Sequence, residues 1–322
     1  MMIEFARTTW PAEPPQKVLS RWWFQSDFAA ATAAVDLTSQ RVAAVCIGVP
    51  SSWRMANGDN ANCISICGWY VRPEYAGRGV GQLLVRHFEA SAALLNTLSI
   101  SAAAVRSFAK LGWAGPFRTY LRILPVPALR RQRICGAIEV RSHRASANGL
   151  PAALADALDF IERTKPASQL RSSRFANIWQ ARLRVRPKRQ YDFHILYAGE
   201  TPFGYFAVRA TDYQAGPRYR MARLHYVADA VFNQERTDLL RAAFEALSVL
   251  VPLSAGAILY CTNTHKLAAA ASDSGWLDDG SPLIGASLTA KAPLYMLGGR
   301  FGNLASSDIR LTFADSDIDF NI

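Results

Sequence analysis

Apolar and polar positions follow two different spacings along the chain, and these spacings predict a succession of strands and helices. Short apolar runs rich in β-branched and aromatic residues predict strands. Apolar residues three or four positions apart predict helices, as Leu84, Phe88, Ala92 and Leu95 do. In the first half the predicted strands are Phe28–Leu37, Arg41–Val49, Cys63–Val71, Thr97–Ser101 and Thr119–Leu124, and the predicted helices are Gln82–Leu95 and Ala102–Leu111.

The second half repeats this order after a linker that contains Pro125, Pro127 and a basic run at 130–133. Its predicted strands are Ala137–Arg141, Phe193–Ala198, Phe203–Val208, Ala222–Val227, Ala257–Cys261 and Pro293–Leu297, and its predicted helices are Leu150–Arg163, Ser173–Leu183, Gln234–Leu250 and Lys266–Ser274. Each half has a helix that ends in Gly-Trp, and the two glycines, Gly112 and Gly275, are 163 residues apart. We therefore predict a degenerate tandem duplication with domains at 1–128 and 129–322. Two unrelated α/β domains are the alternative.

The composition excludes several classes of protein. The chain has 322 residues, of which 50% are hydrophobic and 19% charged, which excludes a disordered or fibrous chain and provides for two cores. The five cysteines are odd in number and lie in apolar surroundings, which is typical of a reducing compartment. We expect a cytoplasmic protein, because the start lacks a secretory pattern and the most apolar run, 247–261, is too short to span a bilayer.

The positive charge is concentrated in the middle of the chain. The net charge is +11, and the segment from Arg118 to Arg189, here called the basic belt, holds 16 Lys and Arg against 4 Asp and Glu. Such a belt indicates an anionic partner, namely a nucleotide-bearing cofactor, an acidic substrate, nucleic acid or a membrane surface, or else only a solvated face. Aromatic residues do not alternate with these arginines, so nucleic acid is the minor alternative.

One loop carries a specific chemical signal. Gly77, Gly79 and Gly81 occupy alternate positions between a predicted strand and a predicted helix. Glycines allow backbone N–H groups to turn toward one point, and the first turn of the helix adds N–H groups without intrahelical partners. Together these features predict a site for a phosphate or diphosphate.

Two other glycine-loop motifs do not fit this spacing. A Rossmann fingerprint needs a glycine where Gln82 stands, and an acidic residue about 20 positions later, where the sequence has 96–101 instead. A Walker A loop needs Gly-Lys-Ser/Thr at its end, which is absent here.

The loop resembles the acetyl-CoA-binding motif of the GNAT superfamily of N-acetyltransferases. The resemblance lies in Val71-Arg72-Pro73-Glu74-Tyr75 followed by the glycines of 77–81, and in a second block at 101–113 that ends in Phe108-Ala109-Lys110-Leu111-Gly112-Trp113. It covers about residues 60–125, and the second half is similar to the same fold through 263–267 and Gly275-Trp276. The resemblance implies two tandem GNAT-like domains of class α/β (α+β), each with a mixed, largely antiparallel sheet flanked by helices.

The resemblance also implies a reaction and a set of binding residues. Acetyl-CoA is the expected cosubstrate, and an amine of a small metabolite or amino sugar would attack it directly, with no covalent enzyme intermediate. The backbone N–H groups of Tyr70 and Val71 would polarise the thioester carbonyl, and Ser107 is a weak catalytic candidate. The CoA-binding set is Trp69, Tyr70, Val71, Ala76, Gly77, Arg78, Gly79, Val80, Gly81, Gln82, Ser107, Phe108 and Lys110.

Two positions depart from the family pattern. Ala76 replaces the usual Gln or Arg, which leaves the backbone cradle intact. Phe108 stands where many members have a tyrosine that protonates the leaving thiolate, and phenylalanine has no proton to donate.

The loop of the second half, predicted at 229–233, contains no glycine, so the second half is not expected to bind CoA.

No residue stands out as a general base, and no metal site is predicted. Glu74, His87 and His225 are candidates for a base, but each fits a structural, surface or core role better. Three carboxylates alternate near residue 317, namely Asp315, Asp317 and Asp319. They suit a cationic substrate, a metal or a charged edge strand. The glycine and the later glutamate that a calcium loop needs are missing. A non-catalytic acyl-CoA-binding module is the alternative to an enzyme, and a nucleic-acid-associated protein is a third possibility.

Overall fold

The protein is described here by a computed structural model, which places residues 2–9, 11, 30–55, 59–98, 100, 102–125, 138–166, 171–185, 190–213, 222–250, 257–262, 264–278 and 294–299. The helices in these ranges are α1 (Met2–Thr9), α2 (Val80–Ser91), α3 (Ala102–Lys110), α4 (Ala152–Thr164), α5 (Ala176–Val185), α6 (Thr237–Leu250) and α7 (His265–Asp273). A 3₁₀ turn covers Pro73–Tyr75. The strands are β1 (Ala30–Asp36), β2 (Arg41–Arg54), β3 (Asn60–Val71), β4 (Leu94–Leu98), β5 (Ala114–Arg118), β6 (Tyr120–Pro125), β7 (Glu139–Ala145), β8 (Arg171–Ser172), β9 (Tyr191–Ala198), β10 (Thr201–Tyr213), β11 (Ala222–Phe232), β12 (Ala257–Thr262), β13 (Leu277–Asp278) and β14 (Leu294–Gly299).

The strands form two seven-stranded sheets. The first has the order β1-β2-β3-β4-β14-β5, with β8 paired to β2, and the second has the order β13-β6-β12-β11-β10-β9-β7. Each described sheet contains one parallel pair, β3 with β4 and β11 with β12, and its other pairs are antiparallel. This architecture confirms the predicted fold class of mixed, largely antiparallel sheets flanked by helices.

The two sheets exchange strands. β14, from the end of the chain, lies between β4 and β5 of the first sheet, with Tyr295 opposite both Leu98 and Phe117. β6, which follows β5 directly, pairs instead with β12 of the second sheet. The first half therefore contributes β6 to the second sheet, and the second half contributes β14 and the short β8 to the first. The predicted domain boundary at residue 128 stays a prediction.

The first sheet buries apolar side chains on both faces. On one face α2 and α3 cover a core that includes Ala44, Cys46 and Ile66. On the other face α1 places Phe5 against Val42 and Val45. The apolar spacing of α2 in the sequence is explained by burial, because Leu84, Val85 and Phe88 are among the buried residues of the helix.

Both halves contain the same bulge and the same helix ending. In β3 the pairing with β2 skips Cys67, and in β11 the pairing with β10 skips Ala228. Trp113 and Trp276 each follow a glycine with positive φ, and each donates its N–H to the carbonyl five residues back, at 3.1 Å. These shared features agree with the predicted duplication.

Two element predictions are wrong and one strand, β5, was not predicted, and in each case a partner distant in sequence decides the structure. Leu95 was predicted on a helix but lies in β4, because that segment pairs with β3 and β14. The single strand predicted at 119–124 is β6, and a separate strand, β5, precedes it. The loop predicted at 229–233 is mostly strand, because β11 continues to Phe232 alongside β10.

Candidate functional site

The first sheet opens into a notch between its two parallel strands. β3 and β4 pair over only three positions, from Cys63 with Leu94 to Ser65 with Asn96. Beyond Ser65, β3 runs on to Val71 with β2 as its strand partner among the described residues. The backbone edge of β3 that faces away from β2 is therefore available to a ligand over its last residues. We call this opening the notch.

The bulge at Cys67 decides which side chains flank the notch. Ile64 and Ile66 face α2 before the bulge, and Trp69 and Val71 do so after it, because one extra residue reverses the alternation. Tyr70 consequently lies on the opposite face, where its ring meets Phe5 edge-on at 5.5 Å. The sequence pattern alone gave no sign of this reversal.

The backbone amides at the end of β3 alternate in direction. Arg72 donates its N–H to the carbonyl of Ala43 on β2, at 2.9 Å. Because successive strand residues point their N–H groups to opposite edges, Tyr70 also faces β2, and the N–H groups of Trp69 and Val71 face the notch.

The glycine loop follows this strand end directly. Gly77 and Gly79 have φ of 76° and 78°, and a Cβ at either position would meet no atom within 4 Å, so the space above both is open. The first intrahelical bond of α2 runs from Leu83 N–H to the carbonyl of Gly79, at 3.1 Å. The N–H groups of Val80, Gly81 and Gln82 precede it and have no partner inside the helix. The loop and the first helical turn form what we call the cradle.

Tyr75 ties the cradle to the β1–β2 hairpin. Its hydroxyl donates to Asp36 Oδ2 at 2.7 Å, and the guanidinium of Arg78 lies 5.7 Å from its ring centre. The hydrogen bonds from Tyr75 and then Ser39 lower the pKa of Asp36 from 3.8 to about 2. Sequence reasoning missed this pair, because the two residues are 39 positions apart.

We expect Tyr75→Phe to raise the pKa of Asp36 toward its ordinary value, because the largest cause of the lowered pKa is removed. The carboxylate would then protonate at a higher pH than in the parent protein. Titration of the Asp36 carboxyl by NMR measures the shift, with Tyr197→Phe as the control. An unchanged Asp36 pKa in Tyr75→Phe would show that the hydroxyl does not hold the carboxylate.

An aromatic stack closes the α2 and α3 side of the notch. The ring of Phe108 lies 4.8 Å from that of Trp69 and 4.3 Å from that of Trp113, and Phe108 is fully buried. Trp69 donates its indole N–H to the carbonyl of Gly81 at 3.1 Å. A Cβ at Gly81 would lie 2.9 Å from that indole nitrogen, so only glycine allows this contact. The stack therefore fixes the start of α2 against the end of β3.

The other predicted site residues that the structure describes lie on α3 and in the cradle. Ser107 donates its hydroxyl to the carbonyl of Ala103 at 3.3 Å, and Lys110 is exposed at the end of α3. Ala76 is exposed in the cradle. The three alternating aspartates of 315–319 lie outside the described residues.

The candidate bases do not converge on the notch in the described structure. Glu74 is half exposed, with Oε1 3.8 Å from Nη1 of Arg72, and His87 is exposed on α2. His225 is buried on β11 in the second sheet. Burial lowers the pKa of the neighbouring His194 to about 4, so that imidazole is neutral at physiological pH.

The end of β11 and its connection to α6 in the second half differ from the end of β3 and the cradle in the first half. Four residues, 233–236, separate β11 from α6, where eight separate β3 from α2. Asp229, just after the second bulge, is buried and accepts hydrogen bonds from Arg174 Nε and the Tyr205 hydroxyl, both at 2.7 Å. Trp179 donates to the same hydroxyl at 3.2 Å. An internal ion pair thus lies directly after the second bulge, at the position that Gly68 occupies after the bulge of β3.

Much of the described basic belt is neutralised internally. Arg141 and Arg144 pair with Glu139 and Asp192 at 2.6 and 2.9 Å, and Lys165 pairs with Glu162 in the interior. No group of three or more possible metal ligands occurs within the described ranges. Among the helices that the structure places, none is long and apolar enough to cross a membrane.

Comparison with known proteins finds a family-model match in the first part of the chain. Residues 1–113 match the family model described as the acetyltransferase (GNAT) family. A search of curated proteins found no match.

Solved structures share the fold at low sequence identity. A conserved protein of unknown function from Enterococcus faecalis V583, described as a probable N-acyltransferase, is 12% identical with a TM-score of 0.54, over 92% of this chain and 67% of that one. A GCN5-related N-acetyltransferase from Anabaena variabilis is 12% identical with a TM-score of 0.53, over 92% and 68%. Saccharomyces cerevisiae N-myristoyltransferase with bound myristoyl-CoA is 8% identical with a TM-score of 0.50, over 82% and 65%. These similarities concern the fold.

Proposed function

We propose that the protein is an acyl-CoA-dependent N-acyltransferase, because residues 1–113 match the family model described as the acetyltransferase (GNAT) family. It would transfer an acyl group, most simply acetyl, from CoA to an amine of a small molecule by direct attack. The observation that carries the proposal is the continuity of the cradle with the notch, because a diphosphate and an extended thioester arm need these two features side by side.

The cradle suits the diphosphate of CoA. The N–H groups of Val80, Gly81 and Gln82 stand at the positive end of α2, where an anion is stabilised. The open space above Gly77 and Gly79 allows phosphate oxygens to approach the backbone closely. Ala76 leaves this backbone arrangement in place, and the exposed Arg78 adds a positive charge beside it.

The notch suits the pantetheine arm and the thioester. An arm lying along the free edge of β3 would form strand-like hydrogen bonds with Trp69 and Val71. Of the two residues proposed for an oxyanion hole, Val71 has its N–H toward the notch and Tyr70 has its N–H toward β2. We therefore assign to Val71 the polarisation of the thioester carbonyl, which strengthens as charge develops on its oxygen.

In this proposal the residues of the site mainly position the amine and the thioester and contribute less to proton transfer. The amine nitrogen forms a bond to the acyl carbon and loses a proton to water, the carbon–sulfur bond breaks, and the sulfur leaves as a thiolate. Phe108 is enclosed between two tryptophans and donates no proton, so a general-acid contribution of about 10²–10⁴-fold is forgone at that position. A thiol with a pKa of about 8.5 is an adequate leaving group at neutral pH without one.

A non-catalytic acyl-CoA-binding module is the second candidate. It is favoured by the burial of Phe108, a residue without a proton to donate. Such a module would use the same cradle and the same strand edge but would release no thiol.

Two measurements separate these functions. Calorimetry should show acetyl-CoA binding in either case, and a screen of amines should show thiol release from acetyl-CoA that depends on the amine. Binding without thiol release from any amine would favour the module over the enzyme. Absence of heat with acetyl-CoA, together with a nucleic-acid affinity that falls steeply with salt, would contradict both.

A further inference from the structure

Arg72 is a buried cation with unused hydrogen-bond donors. It is the first residue after β3, its side chain is 9% exposed, and its guanidinium lies 5.4 Å from the centre of the Phe5 ring. Its carboxylate neighbour is Glu74, at 3.8 Å, beyond hydrogen-bond distance. Within the described structure the guanidinium makes no hydrogen bond, and Nε is buried without a partner.

These contacts do not replace the hydrogen bonds that water would supply. A buried Nε–H group without a hydrogen-bond partner is costly. The aromatic ring stabilises the charge but accepts no ordinary hydrogen bond, and a half-exposed glutamate at this distance contributes little. A planar carboxylate is the ligand that matches a guanidinium with two parallel hydrogen bonds.

Arg72 lies on the face of the sheet from which we expect the acceptor amine to approach the notch. Arg72 and Tyr70 alternate with Trp69 and Val71, so they lie on the Phe5 face of the sheet, opposite to α2 and the aromatic stack. CoA held by the cradle would enter from the α2 end. An amine would then approach Val71 from the Phe5 face and pass beside Arg72.

We propose that Arg72 binds a carboxylate of the acceptor, so that the substrates are amines that carry a carboxylate, such as amino acids. This inference rests on the proposed function. The acceptor amine bonds to the acyl carbon as the carbon–sulfur bond breaks; the ammonium proton goes to water, and the thiolate takes a proton from solvent. The carboxylate remains unchanged and only orients the amine.

The test compares amino acids with their amides, which differ in this one charge. Thiol release from acetyl-CoA is followed for a panel of such pairs with the parent protein, Arg72→Gln, Arg72→Lys and the control Arg163→Gln, an exposed arginine on α4. We expect kcat/KM to favour the acid over the amide by about 10- to 100-fold in the parent and control. The ratio should approach one in Arg72→Gln and be intermediate in Arg72→Lys, which keeps the charge but loses the paired geometry.

Binding without turnover provides the second readout. The Tm of the CoA complex should rise more with an amino acid than with its amide, and this difference should vanish in Arg72→Gln. Equal effects of acid and amide in the parent protein overturn the inference, as does an Arg72→Gln variant that loses stability but keeps the preference. Failure of the proposed function differs from both, because every protein of the set then shows either no acetyl-CoA binding or binding without thiol release from any amine.

Discussion

Gly79→Val is expected to weaken acetyl-CoA binding by at least about 100-fold, because two effects act together. The valine side chain would fill the open space into which the diphosphate fits. A β-branched residue also resists the positive φ at this position, so the N–H groups of the cradle would turn away from their common point. Isothermal titration with acetyl-CoA measures the loss.

Gly199→Val is the matched control for this experiment. Gly199 lies in the turn between β9 and β10, has φ of 62°, and also has nothing within 4 Å of a Cβ. Both variants should therefore lose similar stability, about 1–2 kcal/mol from the unfavourable backbone conformation. Only the Gly79 variant should lose acetyl-CoA binding. Unchanged binding in that variant would contradict the assignment of the cradle.

Arg174→Met should cost about 3–5 kcal/mol of unfolding free energy, because it removes a buried cation that pairs with the buried carboxylate of Asp229. Arg174 and Asp229 have side chains 5% and 1% exposed. The Tyr205 hydroxyl remains as a donor but carries no charge. Urea unfolding followed by circular dichroism measures the loss.

Arg144→Met provides the comparison on the surface. Arg144 and Asp192 join the same kinds of atoms at 2.9 Å, but their side chains are 69% and 44% exposed. Water and salt screen such a pair, so we expect at most about 1 kcal/mol. Equal losses in the two variants would mean that the Arg174–Asp229 pair is hydrated in solution and does not act as a buried ion pair.

The parts of the site that the sequence predicted are those built from neighbouring residues. Three glycines between a strand and a helix indicate exposed amides whatever the rest of the chain does, because the geometry is local. The apolar spacing of α2 likewise reports its buried face. Leu95 shows the limit of this reasoning. Its place on the apolar stripe predicted that it belongs to the helix, but its pairing with β3 makes it part of a strand.

The features that sequence reasoning missed depend on contacts between distant residues. The bulge at Cys67 exists only through the register of β3 against β2. The burial of Arg72 depends on Phe5, which lies on α1, a helix that the sequence did not predict. A basic residue directly after an apolar strand was the one available signal for Arg72, and it is indistinguishable by itself from a solvated surface arginine.

The position of β14 sets a constraint on synthesis. Leu94–Leu98 is translated about 200 residues before the strand that must lie beside it. The first sheet consequently remains incomplete on the ribosome until residues 294–299 have emerged, and contacts of such large sequence separation form slowly. The sheet of residues 1–113, which match the family model, is therefore completed only when β14 has joined it.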